Sequence, residues 1–177
     1  MQAANLTATS YIVLGLLEWL GEGSPYDLKQ AIPRTVGNFW TVPHSQLYRE
    51  AERLHRGGFL DRRDEATAGG RPRKVYCLTP KGTRALARWR REPPAEPPQL
   101  RDPGLLKLFL GGDPRALAAD RLPAHRRKLA EYEEIRRLDA GSGPRGPWLA
   151  LDAGIAHERE WIRYWSRLAR DRQERRG

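Results

Sequence analysis

The chain of 177 residues has room for one domain of ordinary size or two small ones. Its 32 Lys and Arg outnumber its 22 Asp and Glu, and the net charge of +10 favours a polyanionic partner, either nucleic acid or an anionic membrane surface. The single cysteine, Cys77, excludes an intrachain disulfide, and no run approaches the roughly 20 apolar residues that span a bilayer. The apolar run over residues 11–20 contains Glu18 and follows no basic leader, so we expect a cytoplasmic protein without a signal peptide or a membrane partner.

Two short helices are predicted near the start of the chain. Apolar residues at helical spacing predict the first helix over residues 11–20, with the pair Thr9-Ser10 as its cap. The second helix is predicted over residues 25–32. Its start carries a serine cap at Ser24, a proline in the first turn and an acid, Asp27, three residues after the cap.

The third predicted helix has a polar, basic surface. Thr41 is expected to cap it, Pro43 falls in its first turn, and Gly57-Gly58 ends it. One narrow apolar stripe is formed by Leu47, Ala51 and Leu54. The opposite face carries His44, Ser45, Gln46, Arg49, Glu52, Arg53 and Arg56. This arrangement is typical of the recognition helix of a helix-turn-helix, and the alternative is an ordinary basic surface helix.

A two-stranded hairpin is predicted after the third helix. Residues 59–63 and 71–78 form its strands, and the turn between them is rich in Gly and Ala. A fourth helix is predicted from Thr79 to about Arg91. Three helices followed by a hairpin predict a winged helix-turn-helix, with the hairpin as its wing.

The second half of the chain is predicted to be helical. A proline-rich connector over residues 93–104 separates a DNA-binding domain over residues 1–92 from a helical domain over residues 105–177. The helical domain is predicted to contain a short apolar helix over 105–110, a long helix from Pro114 that is kinked or broken by Pro123, and a last helix over 148–170 after a loop. The fold class is therefore mainly α.

The two long helices of this second domain are amphipathic and have no sheet or third long helix to cover them. Packing against the same pair of helices from a second chain would bury their apolar faces, which predicts a homodimer. The alternative is that they fold back onto the first domain.

Several separated motifs occur in the first half of the chain: Tyr11-Ile12-Val13-Leu14-Gly15-Leu16-Leu17, Tyr26-Asp27-Leu28, Phe39-Trp40, residues 42–50, residues 54–60, residues 70–76 and Leu78-Thr79-Pro80-Lys81-Gly82. In this order they resemble the PadR family of winged-helix regulators. The second half resembles the C-terminal region of the virulence-activator subgroup through Arg101-Asp102-Pro103, residues 105–109 and residues 155–161. Pro25 and Ala51 depart from the family pattern, which often has glycine and leucine at these places.

The resemblance implies a homodimeric transcription regulator, usually a repressor. Some members of the family release DNA when a small molecule binds, often an aromatic or phenolic one. Such a protein binds double-stranded DNA at a palindromic operator, needs no cofactor or metal, and is not an enzyme. The remaining alternative is a winged-helix module that binds proteins and has no specific DNA site.

The geometry of a helix in the major groove selects the candidate DNA-binding residues. We expect base or near-base contacts from His44, Ser45, Gln46 and Arg49, and a phosphate contact from Arg53. Tyr48 either packs against the wing and reaches phosphate or belongs to the core. On the wing, Arg71, Arg73 and Lys74 either touch backbone phosphate or the minor groove of DNA, or form a solvated basic loop.

Aromatic residues of the second domain offer two interpretations. Trp148, Trp161, Trp165 and Tyr132 either line an effector pocket or form an ordinary helical core. His157-Glu158 begins like a zinc-protease motif, but Trp161 stands where the second histidine is needed. The sequence therefore gives no support for catalysis.

Overall fold

In a computed structural model, the chain divides into two compact units, residues 1–97 and 98–177. The structure describes residues 5–66, 72–94, 97, 99–139 and 145–170. Arg71 and the predicted loop residues 141–144 lie outside the described residues.

Helix α1 spans Ala8–Leu20 and begins earlier than the sequence predicts. Its cap is Thr7, and Ser10 belongs to the first turn. The Ser10 backbone N–H donates to Oγ1 of Thr7 and the Thr7 backbone N–H donates to Oγ of Ser10, at 3.4 and 2.7 Å. This reciprocal arrangement satisfies two otherwise unpaired donors, which explains why the helix starts at Ala8 and why Thr9-Ser10 is not the cap.

Helix α2 spans Pro25–Ala31, and its predicted start is confirmed. Ser24 and Asp27 form the capping box that the sequence indicates. Two turns of 3-10 helix follow, over Ile32–Arg34 and Val36–Asn38, where Pro33 prevents the α-helix from continuing. Leu28 of α2 is buried together with Ile32, whereas Tyr26 is exposed.

Helix α3 spans His44–Arg56. The prediction that Thr41 caps it is wrong, because the N-cap position is held by Pro43, which has no side chain able to accept a hydrogen bond. At the other end Gly58 takes a left-handed φ of 73°, which favours glycine. The predicted apolar stripe of Leu47, Ala51 and Leu54 is confirmed as buried.

The wing consists of β2, Leu60–Glu65, and β3, Arg73–Leu78, which pair antiparallel with Leu60 opposite Leu78. A third strand that the sequence analysis did not predict, β1 at Glu22–Gly23, pairs with the other edge of β3, so the sheet order is β1-β3-β2. The composition of the short Gly-Glu-Gly segment indicates only the end of a helix. The segment becomes a strand because β3 lies beside it and pairs with it. Helix α4, Pro80–Trp89, follows with Thr79 as its cap.

The core of the first unit lies where α1, α3 and the sheet meet. It contains Val13, Leu14, Leu17, Leu28, Leu47, Leu54, Phe59, Leu60, Tyr76 and Leu86, all buried. Because α1 contributes Val13, Leu14, Leu16 and Leu17 to this core and α3 contributes only its stripe, the rest of the surface of α3 remains free. The core thus fixes which face of α3 points outward.

The second unit contains α5 at Pro103–Phe109, α6 at Pro114–Asp139 and α7 at Arg145–Arg170. Asp102 caps α5 by accepting from the N–H groups of Gly104 and Leu105. Helix α6 runs through Pro123 without a break, and α7 begins at Arg145, three residues before the predicted start.

The centre of the α6–α7 pair is a small core. It contains Ala118, Tyr132, Ile155 and Trp165, all buried. Leu138, which the periodicity assigns to the apolar side of α6, is exposed. The side chains of Leu106 and Phe109 on α5 are also exposed.

Candidate nucleic-acid interface

The first turns of α3 present a row of polar side chains to the outside. His44, Ser45, Gln46 and Arg49 are all exposed, on the side opposite the buried stripe. Among the described residues Arg49 makes no hydrogen bond or ion pair, so its guanidinium is available to a ligand. Arginine and glutamine at the start of an exposed helix can each bind a base edge through two hydrogen bonds.

An open groove of about 1040 Å³ lies between α2, α3 and the wing. Its lining comprises Ser24, Pro25, Tyr26, Tyr48, Arg49, Glu52, Arg53, Arg56, Asp64, Pro72, Arg73, Lys74 and Tyr76. The groove therefore brings together Tyr48, Arg49 and Arg53 of α3 with Arg73 and Lys74 of the wing, whereas the predicted residues His44, Ser45 and Gln46 do not line it. Five of the lining residues are basic and two are acidic, so the groove favours an anionic ligand.

Tyr48 lies in this groove with half of its surface exposed. Of the two alternatives for Tyr48, a purely core position does not agree with that exposure. Its ring and hydroxyl face the same groove as the wing cations. The structure thus places Tyr48 with the candidate site residues.

The wing cations are paired with carboxylates of the same chain. Arg73 forms an ion pair with Asp27 of α2, and its Nε lies 3.9 Å from Glu65. The ammonium of Lys74 lies 3.5 Å from the carboxylate of Glu52 on α3. These pairs are partly exposed, and exposed ion pairs are weak, so an external anion can compete for both cations.

Arg53 has contacts that differ from the expected phosphate contact. Its guanidinium donates to both carboxylate oxygens of Glu50, at 2.9 and 2.6 Å, to Oγ of Ser10 at 2.9 Å and to the carbonyl of Asn5 at 3.3 Å. The hydroxyl of buried Ser10 also donates to Glu50, at 2.5 Å. Arg53 therefore joins α3 to the start of α1.

The pKa of Glu50 reflects this network. Burial raises the pKa, but hydrogen bonds from Arg53 and Ser10 and the charge of Arg53 outweigh burial, and the pKa is lowered from its ordinary value. Glu50 is thus ionised at neutral pH and holds Arg53 in place.

Glu52 occupies a central position in the groove. The Tyr76 hydroxyl donates to its carboxylate at 3.1 Å, and Arg62 and Lys74 lie at 3.3 and 3.5 Å. The hydrogen bond from Tyr76, together with the two cations, lowers the pKa of Glu52. Burial and the Glu52 carboxylate raise the pKa of Tyr76 to about 12, so the phenol stays protonated and continues to donate.

Eight of the thirteen residues that line the groove were not among the predicted site residues, and Arg56 and Tyr26 are two of these eight. Arg56 is exposed and makes no ion pair among the described residues, and Tyr26 is exposed at the start of α2. The sequence did contain a signal for Arg56, because it follows Arg49 by seven residues and therefore shares its helix face. No signal on α2 indicates that Tyr26 faces α3.

The aromatic residues of the second unit are only partly brought together. Trp161 and Trp165 stack with ring centroids 6.2 Å apart, and Trp161 also stacks on His125 at 5.8 Å. The ring of Tyr132 packs against Gly154, where an added Cβ would lie 3.0 Å from it. Trp148 makes no ring contact with Trp161 or Trp165 within the described part of the chain.

A buried polar pair lies beside these rings. Nδ1 of His125 lies 2.6 Å from the carboxylate of Glu158, and its Nε2 and the Nε1 of Trp165 have no partner among the described residues. The described residues contain no group of His, Cys, Asp and Glu suited to a metal ion. No described helix is long and apolar enough to cross a membrane.

Comparison with protein families matches both halves of the chain. Residues 13–88 match the transcriptional regulator PadR-like family, and residues 100–171 match the virulence activator alpha C-terminal family. The negative transcriptional regulator PadR of Bacillus subtilis is 27% identical over 165 residues, which cover 86% of this chain and 90% of that protein. A probable transcriptional regulator of Mycobacterium tuberculosis, Rv1176c, is 35% identical over 83 residues, covering 46% of this chain and 42% of the relative.

Solved structures show the same architecture over nearly the whole chain. The structure of Bacillus subtilis PadR in complex with operator DNA matches with a TM-score of 0.81 at 26% identity, covering 93% of this chain and 99% of the other. The structure of the same PadR with p-coumaric acid matches with a TM-score of 0.75 at 28% identity, covering 92% and 98%. The Vibrio cholerae virulence activator AphA, 22% identical with a TM-score of 0.66 over 92% of this chain and 96% of its own, shares the fold. The chain belongs to the PadR family of winged-helix transcriptional regulators and carries a C-terminal domain of the virulence-activator type.

Proposed function

We propose that this protein is a sequence-specific DNA-binding transcriptional regulator that acts as a dimeric repressor. The observation that carries the proposal is the exposed polar row of α3, which continues into a basic groove beside the wing. A solved PadR complex with operator DNA, similar over 93% of this chain, supports the same use of this surface. The relatives are transcriptional regulators, which favours a regulator over an enzyme.

We propose that residues 1–92 bind DNA, that residues 93–104 link the two domains, and that residues 105–177 dimerise and sense an effector. The base-reading residues are His44, Ser45, Gln46 and Arg49, because they lie exposed at the start of α3. Phosphate contacts come from Tyr48, Arg56, Arg73 and Lys74, whereas Arg53 positions α3 through Glu50. Arg71 is retained as a wing contact on its sequence position alone.

A homodimer fits the surface of the second unit. Leu106 on α5 is exposed, and the side chain of Phe109 is 87% exposed. A second copy of the chain would cover such apolar groups, and a two-fold axis would place two α3 helices on a palindromic operator. Because the proposed ligand is chromosomal DNA, the protein is proposed to act in the cytoplasm.

An aromatic acid is the proposed effector. The related PadR forms a complex with p-coumaric acid, and the second unit of this chain holds Trp161 and Trp165 with Trp148 and Tyr132. Titrating p-coumaric acid into the protein bound to its DNA fragment should lower the fluorescence anisotropy of the labelled DNA. Unchanged anisotropy and unchanged tryptophan fluorescence would remove this ligand from the proposal.

The DNA-binding proposal is tested by selection. Fragments of the source genome are incubated with the purified full chain, and bound fragments are sequenced and then titrated by fluorescence anisotropy beside scrambled duplexes of equal length. Specific sites of this class bind typically 10³–10⁷ times more tightly than random DNA. A protein-interaction module would instead show no preference among fragments, and that result would overturn the proposal.

A further inference from the structure

Two cations in the described part of the wing, Arg73 and Lys74, are already paired with carboxylates in the free protein. Arg73 is paired with Asp27 on α2, and Lys74 is paired with Glu52 on α3. By contrast Arg49 and Arg56, on either side of Glu52 along α3, make no ion pair among the described residues. The basic groove therefore contains two kinds of cation: Arg53, Arg73 and Lys74 are paired with carboxylates, whereas Arg49 and Arg56 face a ligand without an internal competitor among the described residues.

Glu52 is held firmly at this position by contacts beyond Lys74. The Tyr76 hydroxyl donates to Oε2 of Glu52 at 3.1 Å, and Nη1 of Arg62 lies 3.3 Å from the same oxygen. If Lys74 turns toward another anion, Glu52 keeps these two partners. The Lys74–Glu52 contact is thus the one that an incoming anion can displace at low cost.

We propose that Glu52 is an internal competitor of DNA phosphate, which occupies Lys74 in the free protein and limits the affinity of the wing for DNA of any sequence. This inference rests on the proposed DNA-binding function and adds a residue that sets its strength. A phosphate that binds Lys74 must displace a carboxylate from it, so part of the electrostatic gain is offset. Because the ammonium is neutralised beforehand, this contact also contributes less to the release of counterions.

The test separates the effect of the charge of Glu52 from the effect of its position. Glu52→Gln removes the charge and leaves an oxygen that accepts from Tyr76. Glu18→Gln is the matched control: it changes the net charge equally and breaks an ion pair with Arg90, at 2.6 Å, but Glu18 is not in the groove. Tyr76→Phe removes the hydrogen bond that positions Glu52 without altering its charge. Lys74→Gln, alone and combined with Glu52→Gln, completes a double-mutant cycle.

Each full-length variant is titrated with a labelled random-sequence duplex by fluorescence anisotropy at several salt concentrations. We expect Glu52→Gln to bind about two- to fivefold more tightly, the range that one exposed ion pair supports. The slope of log K against log salt should become steeper by up to about 0.9, the value for one further phosphate. Glu18→Gln and Tyr76→Phe should leave the slope unchanged, and the gain from Glu52→Gln should disappear when Lys74 is Gln.

Three results would overturn the inference. They are weaker or equal binding by Glu52→Gln with an unchanged melting temperature, the same gain in Glu18→Gln, and the same gain in the Lys74→Gln background. If one of these results is found while the wild-type protein still prefers its selected DNA fragment, the proposed function stands and only the role of Glu52 is excluded. A protein that binds no duplex even at the lowest salt concentration removes both.

Discussion

Four residues on one face of α3 differ in what they contact. Arg49 and Arg56 have no intramolecular partner among the described residues, Glu52 contacts the wing, and Arg53 contacts Glu50 and Ser10. The side chains share a helix face because they are three or four residues apart. The three arginines differ only in their surroundings: Arg49 and Arg56 face a ligand, whereas Arg53 holds the helix in place.

Arg49 provides the first prediction. Arg49→Ala should weaken binding to the selected DNA fragment by roughly 1–3 kcal/mol, since a bidentate contact with guanine contributes about that discrimination. Binding to scrambled duplex should weaken much less. Arg73→Ala should weaken both alike and flatten the salt slope by less than about 0.9, the full contribution of one phosphate, because Arg73 is already paired with Asp27 in the free protein.

The measurement is an anisotropy titration of both duplexes at two salt concentrations. Arg84→Ala on α4 serves as the control, because Arg84 is exposed, outside the groove and of the same charge. Equal losses on both duplexes for Arg49→Ala would exclude a base-reading role for that residue.

Arg53 provides a prediction about stability. Arg53→Ala should lower the free energy of unfolding by about 1–3 kcal/mol, because the carboxylate of half-buried Glu50 loses its charged donor. The pKa of Glu50 is lowered in the folded protein, so its ionised form stabilises the fold above the ordinary value of 4.5. That contribution is lost as the pH falls through the lowered folded-state pKa.

Urea denaturation of wild type and variant at neutral pH and in acid measures both effects. The difference between the two proteins should be largest at neutral pH and shrink below pH 4.5, where Glu50 begins to protonate in the unfolded chain. A difference that is independent of pH would show that Arg53 stabilises the fold without its charge pair.

At the scale of elements, the helices of the first unit follow local rules more closely than those of the second. Ser24 with Asp27 and Thr79 with Pro80 define helix starts by short-range hydrogen bonds and a fixed φ, and α2 and α4 begin where these residues predict. In α6, by contrast, Pro123 should end or bend a helix, yet one continuous helix runs from Pro114 to Asp139. Packing along α7 compensates for the local cost at Pro123, because Tyr132, Glu133 and Arg136 all contact α7 beyond the proline.

Pro123 provides the prediction at this scale. Pro123→Ala should stabilise the second unit by roughly 1–3 kcal/mol, since an interior proline removes one backbone hydrogen bond and clashes with the preceding turn. Hydrogen exchange of the backbone amides of α6 in the full chain measures the change. Ala130→Gly, at an exposed position of α6, is the comparison and should cost about 1 kcal/mol. Faster exchange in Pro123→Ala would contradict a destabilising effect of the proline on α6.

At the scale of the whole molecule, charge and symmetry determine DNA binding. The first 92 residues hold 15 basic and 9 acidic side chains, a net of +6 in each copy. A symmetric dimer therefore presents two basic surfaces to one duplex, and each of them can meet one half of a palindromic site. Binding by two linked heads is much tighter than binding by one, because the second contact is intramolecular.

The dimer provides the last prediction. Sedimentation equilibrium should give twice the mass of 20.2 kDa, and scrambling one half of the selected palindrome should lower the affinity by at least about tenfold. The intact palindrome and a fully scrambled duplex are the two controls. A stable monomer, or an affinity that ignores the loss of one half-site, would contradict a symmetric dimer on DNA.

The sequence by itself determined the order of helices, the hairpin and the exposed face of α3. Those features depend on contacts between neighbours in the chain: caps, glycine at helix ends and the spacing of Leu47, Ala51 and Leu54. Only the tertiary structure decided that Tyr48 lies in an open groove, that Glu22–Gly23 forms a third strand, and that Arg53 is bound to Glu50 and Ser10 while Lys74 is bound to Glu52. Apart from the Arg53–Glu50 pair, which lies within one helical turn, these contacts join residues 20 to 55 positions apart in the chain, such as Glu52 and Tyr76 or Glu22 and Cys77. Such residues meet only because of how the elements pack.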